Sequence, residues 1–104
     1  MTALEPKPKS LRRYGWTMTD WQYQLDVQGG VCALCDKLPP SRKLVIDHVH
    51  VKGWKRMPPE KRRRYVRALV CNFCNRNVLR AFMTLDRAHR LVDYFQIYGH
   101  VRAS

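Results

Sequence analysis

Cys32 and Cys35 form one Cys-x-x-Cys pair and Cys71 and Cys74 a second; between them runs Asp47-His48-Val49-His50, and Asn75 directly follows the last cysteine. Four thiolates in two such pairs match a closed tetrahedral zinc site, whose shell leaves no open position for a substrate. The zinc is therefore expected to be structural. Any chemistry falls to the aspartate, the histidines and the asparagine that the ion draws together.

Two disulfides are the other use these cysteines could have. Against them, the stretch Met1–Ser10 is polar, carries Pro6 and Pro8, and does not read as a signal peptide. A reducing, cytoplasmic setting is expected. No apolar run is long enough for a membrane span.

The elements that must position these residues follow from pattern and punctuation. Residues 1–13 read as a basic, flexible N-terminal arm, and residues 14–104 as one domain. A helix is expected after Thr17, an N-cap with Asp20 three residues on. It carries Met18, Trp21 and Leu25 on one face and ends at Gly29-Gly30. Lys43 to Asp47 reads as a strand that delivers Asp47 and His48 to its end, and Tyr65 to Val70 as the returning strand. From about Asn72 the pattern turns helical through Phe73, Val78, Leu79, Phe82 and Met83, with Asn75 in the first turn. A last helix near Thr84 aligns Leu85, Ala88, Leu91, Val92, Phe95 and Tyr98, a stripe expected to pack in the core, with a dimer seam as the alternative.

Charge names the partner class. Twenty Lys and Arg against eight Asp and Glu give a formal +12, and a zinc tetrathiolate would lower that by two. Such an excess draws a polyanion, and nucleic acid is the commonest one inside cells. The positive residues cluster: Lys52, Lys55, Arg56, Lys61, Arg62, Arg63, Arg64 and Arg67 sit in one short stretch with Trp54 among them. They are the candidate DNA contacts, a solvated surface being the plainer reading. Trp54 could stack on a base or insert at a distorted step.

The order Cys-x-x-Cys, Leu-Val-Ile-Asp-His-Val-His and Val-Arg-Ala-Leu-Val-Cys-Asn-Phe-Cys-Asn resembles the recombination endonuclease VII group of phage HNH, or ββα-metal, nucleases. The resemblance covers roughly residues 14 to 98. It implies an α+β fold: a small zinc-stabilised ββα-metal core with flanking helices, a structural Zn²⁺ and a separate catalytic Mg²⁺ or Mn²⁺. By position it makes Asp47 and Asn75 the protein ligands of the catalytic ion, His48 the general base and His50 a supporting contact. The residue types suit these roles. A hard cation prefers oxygen donors, and an imidazole with an unperturbed pKa of about 6.5 can take a proton near neutral pH.

Three positions depart from the family pattern. Val49 stands where many relatives are polar, Ala68 where a glycine is common, and Val78 where some members add a carboxylate, so the metal site is expected to be leaner. Activity is then expected to be hydrolysis of DNA to 5′-phosphate and 3′-hydroxyl ends, on branched DNA such as Holliday junctions, or as nonspecific nicking. The alternative is a catalytically inactive zinc module that binds DNA or RNA. Homodimerisation stays open, because the helices after Thr17 and Thr84 have apolar faces that could pack within a chain or between chains.

Overall fold

The computed structural model describes residues 1–80 and 83–99. Its centre is a two-stranded antiparallel sheet, β1 (Leu44–His48) and β2 (Val66–Cys71), with two helices before it, α1 (Pro8–Arg13) and α2 (Met18–Val27). A short helix α3 (Pro59–Arg62) lies in the connection between the strands, and α4 (Leu85–Tyr98) follows them. The expected α+β class stands. Both strands begin and end one residue later than the sequence indicates.

Residues 1–13 are not without regular structure. Pro8 fits the first turn, where its missing N–H costs nothing, and Arg12 and Arg13 in the last turn suit the negative end of the helix dipole. Leu11 and Ala3 are buried, and the Leu4 N–H donates to the Arg42 carbonyl at 2.8 Å. A single leucine in a polar stretch gives no periodicity, which is why this helix is hard to read from sequence.

The start of α2 matches its signature. The Asp20 N–H donates to Thr17 Oγ1 at 3.2 Å and the Thr17 N–H to Asp20 Oδ2 at 2.8 Å, a reciprocal capping box. Trp21 and Leu25 turn inward, whereas Met18 stays exposed. They meet Leu44, Ile46, Leu69 and Val70 of the sheet, with Leu11 and the buried cysteines completing the core. Gly15, between α1 and α2, has φ +68°, and a Cβ there would run into the Pro59 carbonyl. That close approach packs α1 against the connection between the strands.

The register is Leu44 opposite Cys71, Val45 opposite Val70 and Ile46 opposite Leu69, but His48 lies opposite Val66. Between the last two pairs β1 contributes only Asp47, while β2 contributes Arg67 and Ala68. This is a bulge on β2, a device that bends a strand and re-aims its side chains. It breaks simple alternation at the end of β1, so Ile46 and Asp47 are both buried.

Two sequence expectations are corrected past the sheet. The helix expected from Asn72 reduces to a short helical segment whose last part, Cys74–Val78, is a wide π-type turn closed by the Leu79 N–H on the Cys74 carbonyl at 2.8 Å. Its continuation through Phe82 lies outside the described residues, and Met83 is not helical. Helix α4 forms where expected, with Thr84 Oγ1 accepting the Arg87 N–H at 3.1 Å, but none of its residues is buried. Leu85, Leu91, Val92, Phe95 and Tyr98 are all exposed. The sheet face is already covered by α1 and α2, so the stripe on α4 finds no core to join.

Candidate metal and active site

The four cysteine sulfurs lie within 4.8 Å of one another, and all four thiols are free. Cys35 Sγ and Cys71 Sγ are 3.9 Å apart, far beyond a disulfide bond but close to the roughly 3.8 Å edge of a tetrahedron with Zn–S bonds of about 2.3 Å. Backbone N–H groups support the sulfurs: those of Leu34 and Cys35 point at Cys32 Sγ, and that of Cys74 at Cys71 Sγ. Burial works against a Cys32 thiolate, but N–H groups of Cys35, Cys71 and Leu34 bring its pKa down to about 7. Burial and the crowding sulfurs push Cys74 the other way. Thiols that compete for protons in this manner suit a cation that removes them. The cluster suggests a structural zinc site.

Gln28, just past α2, ties this site to the sheet, a role sequence gave no sign of. Its amide donates to the carbonyls of Val31 at 2.6 Å and Leu69 at 2.8 Å, while its oxygen accepts the Leu69 N–H at 3.1 Å. The Ala33 N–H also donates to the Leu69 carbonyl. The first knuckle is thereby anchored to β2, and the second grows directly from the end of β2.

This frame brings the candidate catalytic residues together. Asp47, His48, His50 and Asn75 all line one cleft of about 440 Å³, with Tyr14, Arg76 and Arg80 also on its walls. Asp47 is only 3% exposed, and Arg67 grips it in a fork: Nε to Oδ2 at 2.6 Å and Nη2 to Oδ1 at 3.1 Å. The bulge supplies this partner by placing Arg67 beside Asp47. Arg67, expected among the DNA contacts, is thus engaged with a buried carboxylate.

Asp47 and Asn75 offer the hard oxygen donors that Mg²⁺ or Mn²⁺ prefers, and the two share one cleft. Both carboxylate oxygens are engaged by Arg67, yet an ionised carboxylate has about four lone-pair sites, so the donor set still fits a cation. His48 is half-buried beside them. Burial, and next the nearby His50, hold its pKa below the usual histidine value, while Asp47 pulls the opposite way. The neutral form, which can accept a proton, is favoured.

The face of His48 lies against Trp54, with ring centroids 4.0 Å apart and planes within 15°. His50 follows at 5.0 Å and Tyr14 at 5.6 Å. These aromatics form the boundary with a second, larger cleft of about 970 Å³, whose cations are Arg13, Lys52, Lys55, Arg56 and Arg62. Tyr14, His48 and His50 line both clefts.

The basic cluster divides into two groups. Arg62 donates to the carbonyls of Trp54, Arg13 and Lys55, and Arg63 pairs with Asp20 and donates to the Gly15 carbonyl, so both are staples within the protein. Lys52, Lys55, Arg56, Lys61 and Arg64 are exposed. Sequence reasoning missed Tyr14, Arg76 and Arg80 as cleft residues, and read Arg13 only as one of the arm's cations, with Lys7, Lys9 and Arg12, that could touch a DNA phosphate. Arg76 could have been flagged because it directly follows Asn75, but nothing marks Tyr14 before the fold brings α1 to the site.

Asn77 donates to the Phe73 carbonyl at 3.1 Å, Asn72 and His89 are exposed, and His100 lies outside the described residues. No helix among the described residues is long and apolar enough to cross a membrane.

A family profile described as recombination endonuclease VII matches residues 7–97. The chain is similar to the "Gene 59 protein" of Mycobacterium phage D29, 31% identical over 88 residues that cover 83% of this chain and 47% of that protein. It therefore spans about half the length of this curated relative. No solved structure matches it. With the family profile spanning most of the chain, and the paired cysteines, Asp47, His48 and Asn75 gathered as described, this protein belongs to the recombination endonuclease VII family.

Proposed function

We propose that the chain is a divalent-metal-dependent DNA endonuclease of the HNH type. Membership of the endonuclease VII family suggests nuclease activity and a DNA substrate. The observation that carries the finer reading is the shared cleft: Asp47, His48, His50 and Asn75 line one wall system, and a cationic trough opens from its histidine side.

In this reading, His48 takes a proton from a water molecule as the water oxygen attacks phosphorus. The P–O3′ bond breaks, the 3′ oxygen leaves and gains a proton from solvent, and the other end keeps a 5′ phosphate. Asp47 and Asn75 would hold Mg²⁺ or Mn²⁺, which when bound supplies positive charge at the phosphate and the leaving oxygen. His50, at the boundary of the two clefts, contacts the phosphate. Lys52, Lys55, Arg56, Lys61 and Arg64 bind flanking phosphates, and such contacts make affinity fall with salt.

Branched DNA is the preferred substrate in this account, because cutting two strands of a junction needs two active sites. The bare stripe of α4 gives a second copy of the chain a surface to pair with. Nonspecific nicking is what a single copy would do.

One observation favours a second reading. The Arg67 fork over both Asp47 oxygens would also suit a silent zinc module in which Asp47 is only an anchor and DNA or RNA binds the trough. Incubating supercoiled plasmid with zinc-loaded protein and Mg²⁺ or Mn²⁺, beside His48→Ala, separates the two. Metal-dependent nicking that the variant loses supports the enzyme; binding without nicking supports the module.

A further inference from the structure

An imidazole that serves as a base in a hydrolytic site is commonly oriented by a hydrogen bond to its second nitrogen. Among the described residues, neither ring nitrogen of His48 has such a bond. What touches the imidazole is the Trp54 indole, stacked at 4.0 Å and 15°, with His50 tilted against it at 5.0 Å and Tyr14 tilted against both rings at 5.6 Å and 5.8 Å. A stacked neighbour blocks rotation of the ring out of its plane. It leaves the ring edge, where the nitrogens are, free to face water.

The stack is itself held from behind. Trp54 opens a single helical turn, Trp54–Arg56, entered through Gly53 at φ +83°. Arg62 closes on that turn: Nε donates to the Trp54 carbonyl at 3.2 Å and Nη2 to the Lys55 carbonyl at 2.9 Å. Its Nη1 donates to the Arg13 carbonyl at 3.1 Å, which joins the turn to the end of α1. The guanidinium carbon is also 5.3 Å from the Trp54 ring centroid. Trp54 is therefore engaged by His48 and by Arg62, and it is not a free platform for a nucleobase.

We infer that Trp54 is a positioning residue for DNA hydrolysis: its indole fixes the plane of the His48 imidazole, and Arg62 holds the indole in place through three backbone carbonyls. The inference rests on the reading of His48 as the general base. It replaces a DNA-stacking role for Trp54 with one exerted through another side chain.

The test compares Trp54→Leu, which keeps apolar bulk without a plane, with Trp54→Phe, which keeps a plane. Each zinc-loaded protein is assayed for single-turnover cleavage at saturating DNA, for DNA affinity, and for the ring-proton NMR shifts of His48. A misplacement of about 1 Å can cost on the order of 100-fold in rate, so Trp54→Leu is expected to slow cleavage by about 10–100-fold with DNA affinity unchanged. The His48 ring protons should move downfield as the ring current of the indole is lost. Trp54→Phe should restore most of the rate and part of the upfield shift.

Weaker DNA binding by Trp54→Leu with an unchanged saturated rate would overturn the inference in favour of a DNA contact. So would unchanged His48 resonances, or a phenylalanine variant no better than the leucine one. His48→Ala separates the two levels of the argument. If it cuts at the parent rate, the general-base reading falls and takes this inference with it; if it is inactive while Trp54→Leu cuts at the parent rate, only the role of Trp54 falls.

Discussion

Replacing Arg67 by methionine keeps an unbranched apolar stem, removes the charged guanidinium, and leaves the Asp47 carboxylate without its fork. The two partners are unequal: the Asp47 side chain is 3% exposed and that of Arg67 is 40% exposed. Opposite charges about 4 Å apart attract by about 4 kcal/mol at the effective dielectric of a partly buried pair, and breaking a buried pair by removing one partner costs about 3–5 kcal/mol. Water that already reaches Arg67 would screen part of this, so Arg67→Met is expected to cost about 2–3 kcal/mol. Asp47→Asn should cost less, about 1 kcal/mol, because the guanidinium it releases can turn to solvent. The double variant should be no worse than Arg67→Met alone.

Urea denaturation at constant excess zinc measures all three proteins. For a domain of this size the Arg67→Met loss corresponds to a fall in Tm of about 10–20 °C. An Arg67→Met protein within about 0.5 kcal/mol of the parent would refute the reasoning, and so would an Asp47→Asn variant that is the less stable of the two single changes.

Removing zinc should unfold the domain, because apparent structural-zinc energies of about 10–16 kcal/mol match or exceed the roughly 5–15 kcal/mol stability of a whole domain. Chelation or Cys71→Ser should collapse the amide NMR dispersion, and a dispersed, cooperatively melting apo-protein would contradict this. Arg63, and next the Thr17 N–H, hold the Asp20 carboxyl well below the usual carboxylate range. With the folded pKa depressed, the stabilisation is present above the unfolded value of about 3.9 and is lost as pH falls through the folded one. Asp20→Asn should therefore cost about 1 kcal/mol equally at pH 7 and pH 5, the pair being surface-screened, and a difference gone by pH 5 would be inconsistent with it. If α4 pairs two copies, sedimentation should show a dimer that Phe95→Glu turns into a monomer of unchanged zinc content; a monomeric parent excludes this seam.

The cysteine spacing, the Thr17 cap and the apolar runs around Leu44–Ile46 and Leu69–Val70 are local patterns, and sequence carries local patterns well. The meeting of Asp47, His48, His50 and Asn75 was legible because two knuckles pin one strand end to the segment after the other strand. The Arg67 fork was not legible, since it depends on a one-residue bulge that no residue type announces. Nor was the buried Leu11, which has no periodic neighbours. A run of positive charge also conceals function: Arg62 and Arg63 look like their neighbours in sequence, and only the fold shows them turned to carbonyls and to Asp20. The stripe on α4 was visible as a pattern, but a pattern does not say what covers it.

The central claim is that the cleft lined by Asp47, His48, His50 and Asn75 cuts DNA, and supercoiled plasmid tests it most directly. Zinc-loaded parent protein should convert the plasmid to nicked or linear forms only when Mg²⁺ or Mn²⁺ is added, with a 5′ phosphate at each break, and His48→Ala should lose this activity while still binding DNA. Equal cutting by parent and His48→Ala proteins, or no cutting by the parent with either metal on plasmid and on branched DNA, would contradict the account.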